Sequence, residues 1–203
     1  NIVSGHFSTI AGGWNNVATG YASMVAGGRL NTAGGSYSFA AGYRAKAVHD
    51  GSFVWGDSTD ADVSSTAADQ FVVRCYGGAR FWTDSGVGPY LNAGSPDWIS
   101  SSDRDLKENF RAIDKQALLD RLSRVPVSEW NFKTQDAAIR HVGPMAQDFR
   151  AAFGLGSDDK GIGTLDINGV NMAAIQGLYE IVQELRAENQ ALRREVQELK
   201  DAR

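Results

Sequence analysis

Small and apolar residues recur at fixed intervals over the first quarter of the chain. Each copy of the pattern places a serine, an apolar residue and a glycine at alternate positions, and successive copies are spaced 15, 15 and 14 residues apart. The four copies are Ser8-x-Ile10-x-Gly12, Ser23-x-Val25-x-Gly27, Ser38-x-Ala40-x-Gly42 and Ser52-x-Val54-x-Gly56. Alternation is the spacing of a β-strand, and this repeat is too short for the helical-repeat families. The pattern therefore predicts a β-solenoid over residues 1–57.

A solenoid turn of this size buries little apolar surface. Ordering its backbone costs roughly 1–2 kcal/mol per residue, so thin turns need stacked neighbours or partner chains. The pattern thus predicts that identical chains associate. A flexible linker rich in glycine and serine is the alternative, but such linkers do not hold a register.

A second pattern, with a heptad period, starts at Ile175. Its a positions are Ile175, Val182, Asn189 and Val196, and its d positions are Leu178, Leu185, Leu192 and Leu199. The strict stripe predicts a parallel coiled coil over residues 173–203, although β-branched a residues with an asparagine favour dimers in isolated peptides. Glu188 with Arg193, and Glu195 with Lys200, occupy g and following e positions, where they pair between chains. A lone amphipathic helix packed on its own domain is the alternative.

Residues 58–100 lack the repeat and predict a β-rich connector. The segment from Gln70 to Thr83 alternates like two strands around Gly77 and Gly78, which predicts a hairpin turn. Four aromatic residues at strand spacing, Phe71, Tyr76, Phe81 and Trp82, suit either a carbohydrate-binding surface or a core between chains. The second interpretation is preferred, because in a thin fibre such residues usually fill the inter-chain core.

Residues 101–172 predict a small α+β domain. The pattern indicates a helix from about Lys115 to Ser123, a strand over 127–132, and a helix after Pro144 that runs to Phe153. Within residues 163–172, the block L-D-x-N-G-V from Leu165 to Val170 is expected to form a turn.

Composition and charge narrow the function classes. A net charge of -4 argues against binding to nucleic acid, and no apolar run approaches the roughly 20 residues that span a bilayer. The single cysteine, Cys75, has no partner for an internal disulfide.

The three histidines, His6, His49 and His141, lack metal-ligand spacing, so His141 is interpreted as a packed structural residue. Asp158, Asp159 and Asp166 lack the full EF-hand pattern and are interpreted as turn residues, so no metal or cofactor is expected.

The N-terminal repeats resemble the head repeats of trimeric autotransporter adhesins, which also occur in phage fibres. The resemblance covers about residues 4–57 and implies a homotrimer. It also implies a second function, in which the repeats bind host glycan, collagen or another surface ligand. Trp14, Tyr21, Arg29 and Tyr43 are the solvent-facing candidates for such binding.

The C-terminal half resembles the intramolecular chaperone domain of endosialidase tail spikes, other phage fibres and bacterial surface proteins. Four blocks carry the resemblance in order over about residues 101–185: S-D-x-x-L-K-x-N from Ser102, H-V-G-P-M-A-Q-D-F from His141, L-D-x-N-G-V from Leu165, and A-A-I-Q-G-L from Ala173. The resemblance implies a trimer that cleaves itself with a serine–lysine dyad immediately before the serine. The dyad falls on Ser102 and Lys107, and the scissile bond lies between Ser101 and Ser102.

The chemistry of that dyad is physically sound, although spacing alone does not establish it. A serine hydroxyl needs a neighbouring base, and a lysine serves as that base only when burial depresses its pKa toward 7. The chain departs from the family pattern at Asp105, where a basic residue is usual. Without the resemblance, Ser102 and Asp103 would be interpreted as the N-cap and solvated first turn of a helix.

The sequence as a whole predicts a mixed fold: a trimeric β-solenoid, a β connector, an α+β chaperone domain and a parallel coiled coil. The expected function is C-terminal trimerisation and folding of a fibre in a virion tail or on a bacterial cell surface, with release by a single self-cleavage. The alternatives are a non-cleaving trimerisation domain of a host-binding adhesin and a peptidase whose cleavage is itself the function.

Overall fold

The computed structural model describes residues 1–202. It separates into two compact units, Asn1–Leu106 and a second unit that begins at Lys107. Each unit has its own hydrophobic cluster of buried residues.

The first unit is dominated by a β-solenoid, as the repeats predict. The odd-numbered strands are β1 (Ile2–Val3), β3 (Val17–Ala18), β5 (Thr32–Ala33), β7 (Ala45–Ala47) and β9 (Val63–Ser64). The even-numbered strands are β2 (Thr9–Ile10), β4 (Met24–Arg29), β6 (Phe39–Tyr43), β8 (Phe53–Gly56) and β10 (Phe71–Arg74). Each set forms one parallel five-stranded sheet, called here the odd sheet and the even sheet.

The interior of the solenoid is filled by small side chains. Its fully buried apolar residues are Ala18, Val25, Ala33, Ala40, Ala45, Ala47 and Val54. Equivalent positions of successive turns lie in register, so that Val25 pairs with Ala40 and Ala40 with Val54. Because the turns are narrow, most inward-facing strand positions hold alanine or valine, which explains the small-residue repeat in the sequence.

A ladder of asparagine side chains runs through the same interior. The Oδ1 atom of Asn16 accepts the backbone N–H of Asn31 at 2.9 Å, and the Oδ1 atom of Asn31 accepts that of Ala45 at 2.9 Å. The Nδ2 group of Asn31 donates to the carbonyls of Gly27 at 3.0 Å and Gly42 at 2.8 Å. Asn16 and Asn31 are fully buried, so these bonds satisfy polar groups that would otherwise be stranded.

The two sheets extend beyond the segment in which the sequence repeats. Strand β10 pairs in parallel with β8, with Phe71 beside Phe53 and Arg74 beside Gly56. The predicted hairpin around Gly77 and Gly78 is therefore wrong. The sequence Phe-Val-Val-Arg fits the same alternating pattern as Phe-Val-Trp-Gly, but the arginine at the glycine position hides the repeat.

Arg74 closes the last turn of the solenoid. Its guanidinium is buried and donates to the Oδ1 atom of Asp57 at 2.8 Å, to the carbonyl of Thr59 at 2.9 Å and to the carbonyls of Ala61 and Tyr43. Backbone carbonyls at the end of a solenoid lack a following turn to bond with, and one side chain supplies the donors here. The planar, multi-donor head of arginine suits this role.

After the solenoid the first unit continues as a small antiparallel sheet. It consists of β11 (Gly78–Arg80), β12 (Pro89–Asn92) and β13 (Ile99–Ser100), in that order. A single turn of 3-10 helix follows at Arg104–Leu106.

The second unit contains the predicted helices and strand. Helix α1 spans Lys115–Leu122 and is capped by Asp114, β14 (Ser128–Trp130) pairs with β15 (His141–Gly143), and α2 spans Ala146–Phe153. Its core consists of Leu118, Phe149, Val170, Ala173 and Ala174.

The turn expected from Leu165 to Val170 is not present. Helix α3 runs without a break from Thr164 to Asp201, with Gly163 as its N-cap residue. Val170, Ala173 and Ala174 recur at helical spacing and are buried, so packing outweighs the low helix propensity of Asn168 and Gly169. No helix in the described part of the chain has both the length and the apolar character needed to cross a membrane.

Candidate self-processing and assembly sites

The residue before the predicted scissile bond is held by a neighbouring loop. Ser101 is half-buried and directly follows β13. Its Oγ atom donates to the carbonyl of Gly88 at 2.9 Å and accepts the N–H of Gly88 at 3.3 Å. The acyl side of the Ser101–Ser102 bond thus has a fixed position within the first unit.

The predicted dyad residues fall on either side of the boundary between the two units. Ser102 is exposed and belongs to the first unit, whereas Lys107 is exposed and opens the second. The 3-10 helix Arg104–Leu106 lies between them in the sequence. The single chain does not bury either residue, so the dyad stays a prediction.

The predicted coiled-coil residues form an uncovered apolar seam along α3. The seam consists of the a and d positions Ile175, Leu178, Val182, Leu185, Asn189, Leu192, Val196 and Leu199. Its seven apolar side chains are between 42% and 68% exposed. Every residue from 183 to 202 is exposed, and the buried residues of α3 all lie at or before Gly177.

The two outer faces of the solenoid differ in chemistry. Outward positions of the even sheet include Met24, Phe39, Phe53 and Phe71, which occupy the same register on successive strands. The Phe39 and Phe53 rings stack with centroids 4.6 Å apart, and those of Phe53 and Phe71 with centroids 4.9 Å apart. Outward positions of the odd sheet are mostly polar: Val17, Thr32, Lys46 and Ser64. One face of the solenoid is thus apolar, although strands with a solvated outer face normally carry polar residues there.

Three of the four candidate ligand residues of the repeats lie close together. The Arg29 guanidinium stacks on Trp14, 4.5 Å from the ring centroid, and lies 5.8 Å from the ring centroid of Tyr43. Arg29, Tyr43 and Trp55 border an open groove of about 620 Å³ whose floor includes Gly28 and Gly42. Tyr21 lies apart from this groove, edge-on to Phe7 and Tyr37.

His141 and the acidic cluster make structural contacts. The His141 ring packs on Trp130 with centroids 4.8 Å apart, and its Nε2 atom lies 3.0 Å from Oε1 of Gln135. The Oδ1 atom of Asp158 accepts the backbone N–H of Lys160 at 2.8 Å, which is a turn contact. These contacts agree with the structural interpretation of both sites, although Asp166 lies in the first turn of α3.

Two features of these sites were not predicted from the sequence. The asparagine ladder was detectable, because Asn1, Asn16 and Asn31 share the 15-residue spacing of the repeat. The contact between Ser101 and Gly88 had no such signal, because it joins residues 13 apart through a loop with no repeat.

Comparison with known proteins supports the interpretation of the second half. No match was found among curated proteins. The matched family segment begins at Ser102 and ends at Gly154, directly after α2, so it includes both predicted dyad residues. Residues 102–154, about a quarter of the chain, match the family model described as the chaperone of endosialidase, which confirms the resemblance over that segment.

Proposed function

We propose that this chain is the C-terminal trimerisation and folding module of a homotrimeric fibre or surface adhesin. The family match supports the intramolecular chaperone role. The observation that carries the assembly proposal is the uncovered seam of α3, whose seven apolar side chains have no cover within the chain.

The seam requires other copies of the chain. Burying one leucine or valine side chain contributes about 1.5–3 kcal/mol, and most helical stability in proteins comes from packing of an apolar face rather than from helix propensity. Every described residue of α3 from 183 onward is exposed. Parallel association of copies covers the a and d residues together and places Glu188 beside Arg193 of a neighbouring chain.

Three copies fit the molecule better than two. The a and d residues alone favour a dimer, but the even sheet adds a second apolar face to be covered. In a trimer, three such faces meet around one axis, where Met24, Phe39, Phe53 and Phe71 form a continuous aromatic and aliphatic column. The resemblance to trimeric head repeats and to a trimeric chaperone domain points to the same number.

The proposed folding role follows from effective concentration. A coiled coil that gathers three C-termini converts each later contact between solenoids into an intramolecular event. The entropic cost of bringing the strands together then falls, and the thin solenoid folds in register. The proposed location, a phage tail or a bacterial surface, rests on the resemblance to phage fibres and bacterial surface proteins.

Release by self-cleavage completes the proposal. Lys107 accepts the hydroxyl proton of Ser102, and Oγ attacks the carbonyl carbon of Ser101. The bond to the Ser102 nitrogen breaks, the nitrogen takes up the proton, and water hydrolyses the resulting ester to the Ser101 carboxylate. A lysine acts as a base only when desolvated, and Lys107 is exposed in one chain, so assembly has to supply that burial.

Measuring mass under native and denaturing conditions tests both parts. We expect a native trimer and, on a denaturing gel, two fragments of near-equal size. Ser102→Ala and Lys107→Arg should give one full-length band while keeping the trimer, whereas Ser64→Ala and Lys133→Arg, as matched controls, should still cleave. A folded monomer at micromolar concentration would refute the assembly proposal, and an intact wild-type band would refute cleavage alone.

A host-binding adhesin that does not cleave is the second candidate. The groove beside Arg29, Tyr43 and Trp55 favours it, because flat rings suit sugar faces and the guanidinium suits a carboxylate. A glycan array probed with the full chain is the test. Binding of acidic glycans that is lost in Tyr43→Ala, but kept in Tyr179→Ala on the second unit, supports this function.

A further inference from the structure

The pairing of β12 with β13 ends one residue before the scissile bond. In this antiparallel pair Tyr90 lies opposite Ile99, and Pro89 lies opposite Ser100. The next opposed pair would be Gly88 and Ser101. At that position the side-chain hydroxyl of Ser101 replaces the backbone pairing, because it bonds to both the N–H and the carbonyl of Gly88.

The Gly88 side of this contact is rigidly built. Gly88 has a φ of +153°, and a Cβ atom at this position would overlap the backbone carbonyl of Phe81. The N–H of Phe81 donates to the carbonyl of Pro89 at 3.0 Å, and the N–H of Thr83 donates to that of Val87 at 3.0 Å. Hydrogen bonds thus hold the Gly88 peptide on both sides, so it is a fixed anchor.

We propose that Gly88 and Ser101 form a clamp that positions the scissile carbonyl for attack by Ser102. The inference rests on the self-cleavage of the proposed function. Ser101 is a positioning residue. Its hydroxyl holds the end of β13 against Gly88, and its backbone carbonyl is the group that Ser102 attacks. Attack requires the Ser102 Oγ atom to lie within about 3–3.5 Å of the carbonyl carbon and above the plane of the carbonyl group, and a fixed strand end holds that orientation better than a freely rotating one.

The clamp also accounts for a polar residue at a position where cleavage itself does not require one. The carbonyl that is attacked belongs to the backbone, so any residue at 101 provides it. An alanine there leaves the Gly88 N–H and carbonyl without their side-chain partner, and the strand end is then free to rotate. A threonine keeps the hydroxyl.

The rate of the single cleavage, followed in the full chain, tests the clamp. Protein made by pulse-labelled cell-free synthesis is sampled over time on denaturing gels, with the native mass of each variant measured in parallel. We expect Ser101→Ala to slow cleavage by about tenfold or more and Ser101→Thr to stay within about threefold of wild type. Ser100→Ala, on the neighbouring exposed residue, is the matched control and should cleave at the wild-type rate.

The outcomes distinguish failure of the clamp from failure of self-cleavage. If the wild type stays intact, both the self-cleavage and the clamp are refuted. If the wild type cleaves, Ser102→Ala does not, and Ser101→Ala cleaves at the wild-type rate, only the clamp is refuted. If Ser101→Ala is slow but Ser101→Thr is equally slow, or if Ser101→Ala no longer assembles, the role is structural and the clamp is again refuted.

Discussion

The solenoid and the C-terminal half of α3 differ in whether their apolar side chains are buried within one chain. Solenoid turns enclose a narrow column of alanine and valine side chains, and their buried polar groups are paired through the asparagine ladder. The helix beyond residue 183 encloses nothing within one chain. Its seam residues are larger, and they are exposed in the single chain.

The difference separates two sources of stability. The solenoid draws on local hydrogen bonds and close packing of small groups, which are set by the repeat itself. If α3 forms the proposed coiled coil, its stability comes from association and depends on chain concentration. Changes in the ladder should therefore alter unfolding, whereas changes in the seam should alter assembly.

The largest effect is expected from charges placed in the seam. Leu185→Asp combined with Leu192→Asp puts a carboxylate at two successive d positions, where burial in the coiled coil is strongly unfavourable. We expect the trimer to dissociate, with an apparent dissociation constant raised by more than about 100-fold, and the helical signal to fall. Analytical ultracentrifugation and circular dichroism measure both.

A matched double variant controls for added charge. Ala187→Asp with Gln190→Asp adds the same two carboxylates to α3 away from the seam and should leave the trimer intact. If both double variants dissociate equally, the seam is not what holds the chains together.

The second largest effect is expected in the asparagine ladder. Asn31→Ala removes one acceptor and two donors from a fully buried site, and each buried group left unpaired costs about 1–3 kcal/mol. We expect the free energy of unfolding of the first unit to fall by about 2–4 kcal/mol in denaturant titration. Thr32→Ala, next to it on the outer face, should cost under about 1 kcal/mol. Equal losses in the two variants would mean that the ladder adds nothing.

A smaller effect is expected from opening the end of the solenoid. Arg74→Met removes the guanidinium that bonds to Asp57 and to backbone carbonyls such as that of Thr59. The effect is smaller because water can then bond to some of these carbonyls. We expect the thermal midpoint to fall by about 5–10 °C. Arg44→Met breaks an exposed ion pair with Asp62 and should change the midpoint by less than about 2 °C. Similar shifts in both variants would show that Arg74 is an ordinary surface residue.

The smallest effect concerns pH. The backbone N–H of Tyr76 and the Arg74 guanidinium hold the pKa of Asp57 well below its ordinary value of 3.8. Because the folded pKa is the lower one, the stabilisation is complete above pH 3.8 and is lost as the pH falls below it. Asp57→Asn should therefore lose less thermal stability than wild type between pH 5 and pH 2. An identical acid dependence in wild type and Asp57→Asn would contradict this linkage.

Much of the fold was predictable because its periodicities are strict. The repeat of Ser23-x-Val25-x-Gly27 reflects a narrow interior, and the heptad leucines reflect a helical stripe. The solenoid and the long helix were therefore both predictable from the sequence. Helix α1 and the helix after Pro144 were predicted for the same reason.

The errors arose where one residue departs from a pattern. Arg74 replaces the repeat glycine, so the last turn of the solenoid was mistaken for half of a hairpin. Asn168 and Gly169 suggested a turn, but Val170 and Ala173 draw the segment into a helix through tertiary packing. The pairing of Ser102 with Lys107 was predicted from the family resemblance alone and stays a prediction.

Parallel stacking of turns determines the rise per residue along the solenoid. Adjacent strands are about 4.8 Å apart, so a solenoid turn of 15 residues adds only about 0.3 Å per residue along the stacking direction. A helix adds 1.5 Å per residue, so the 38 residues of α3 span about 57 Å. A stack of such turns therefore gains girth and lateral surface rather than length.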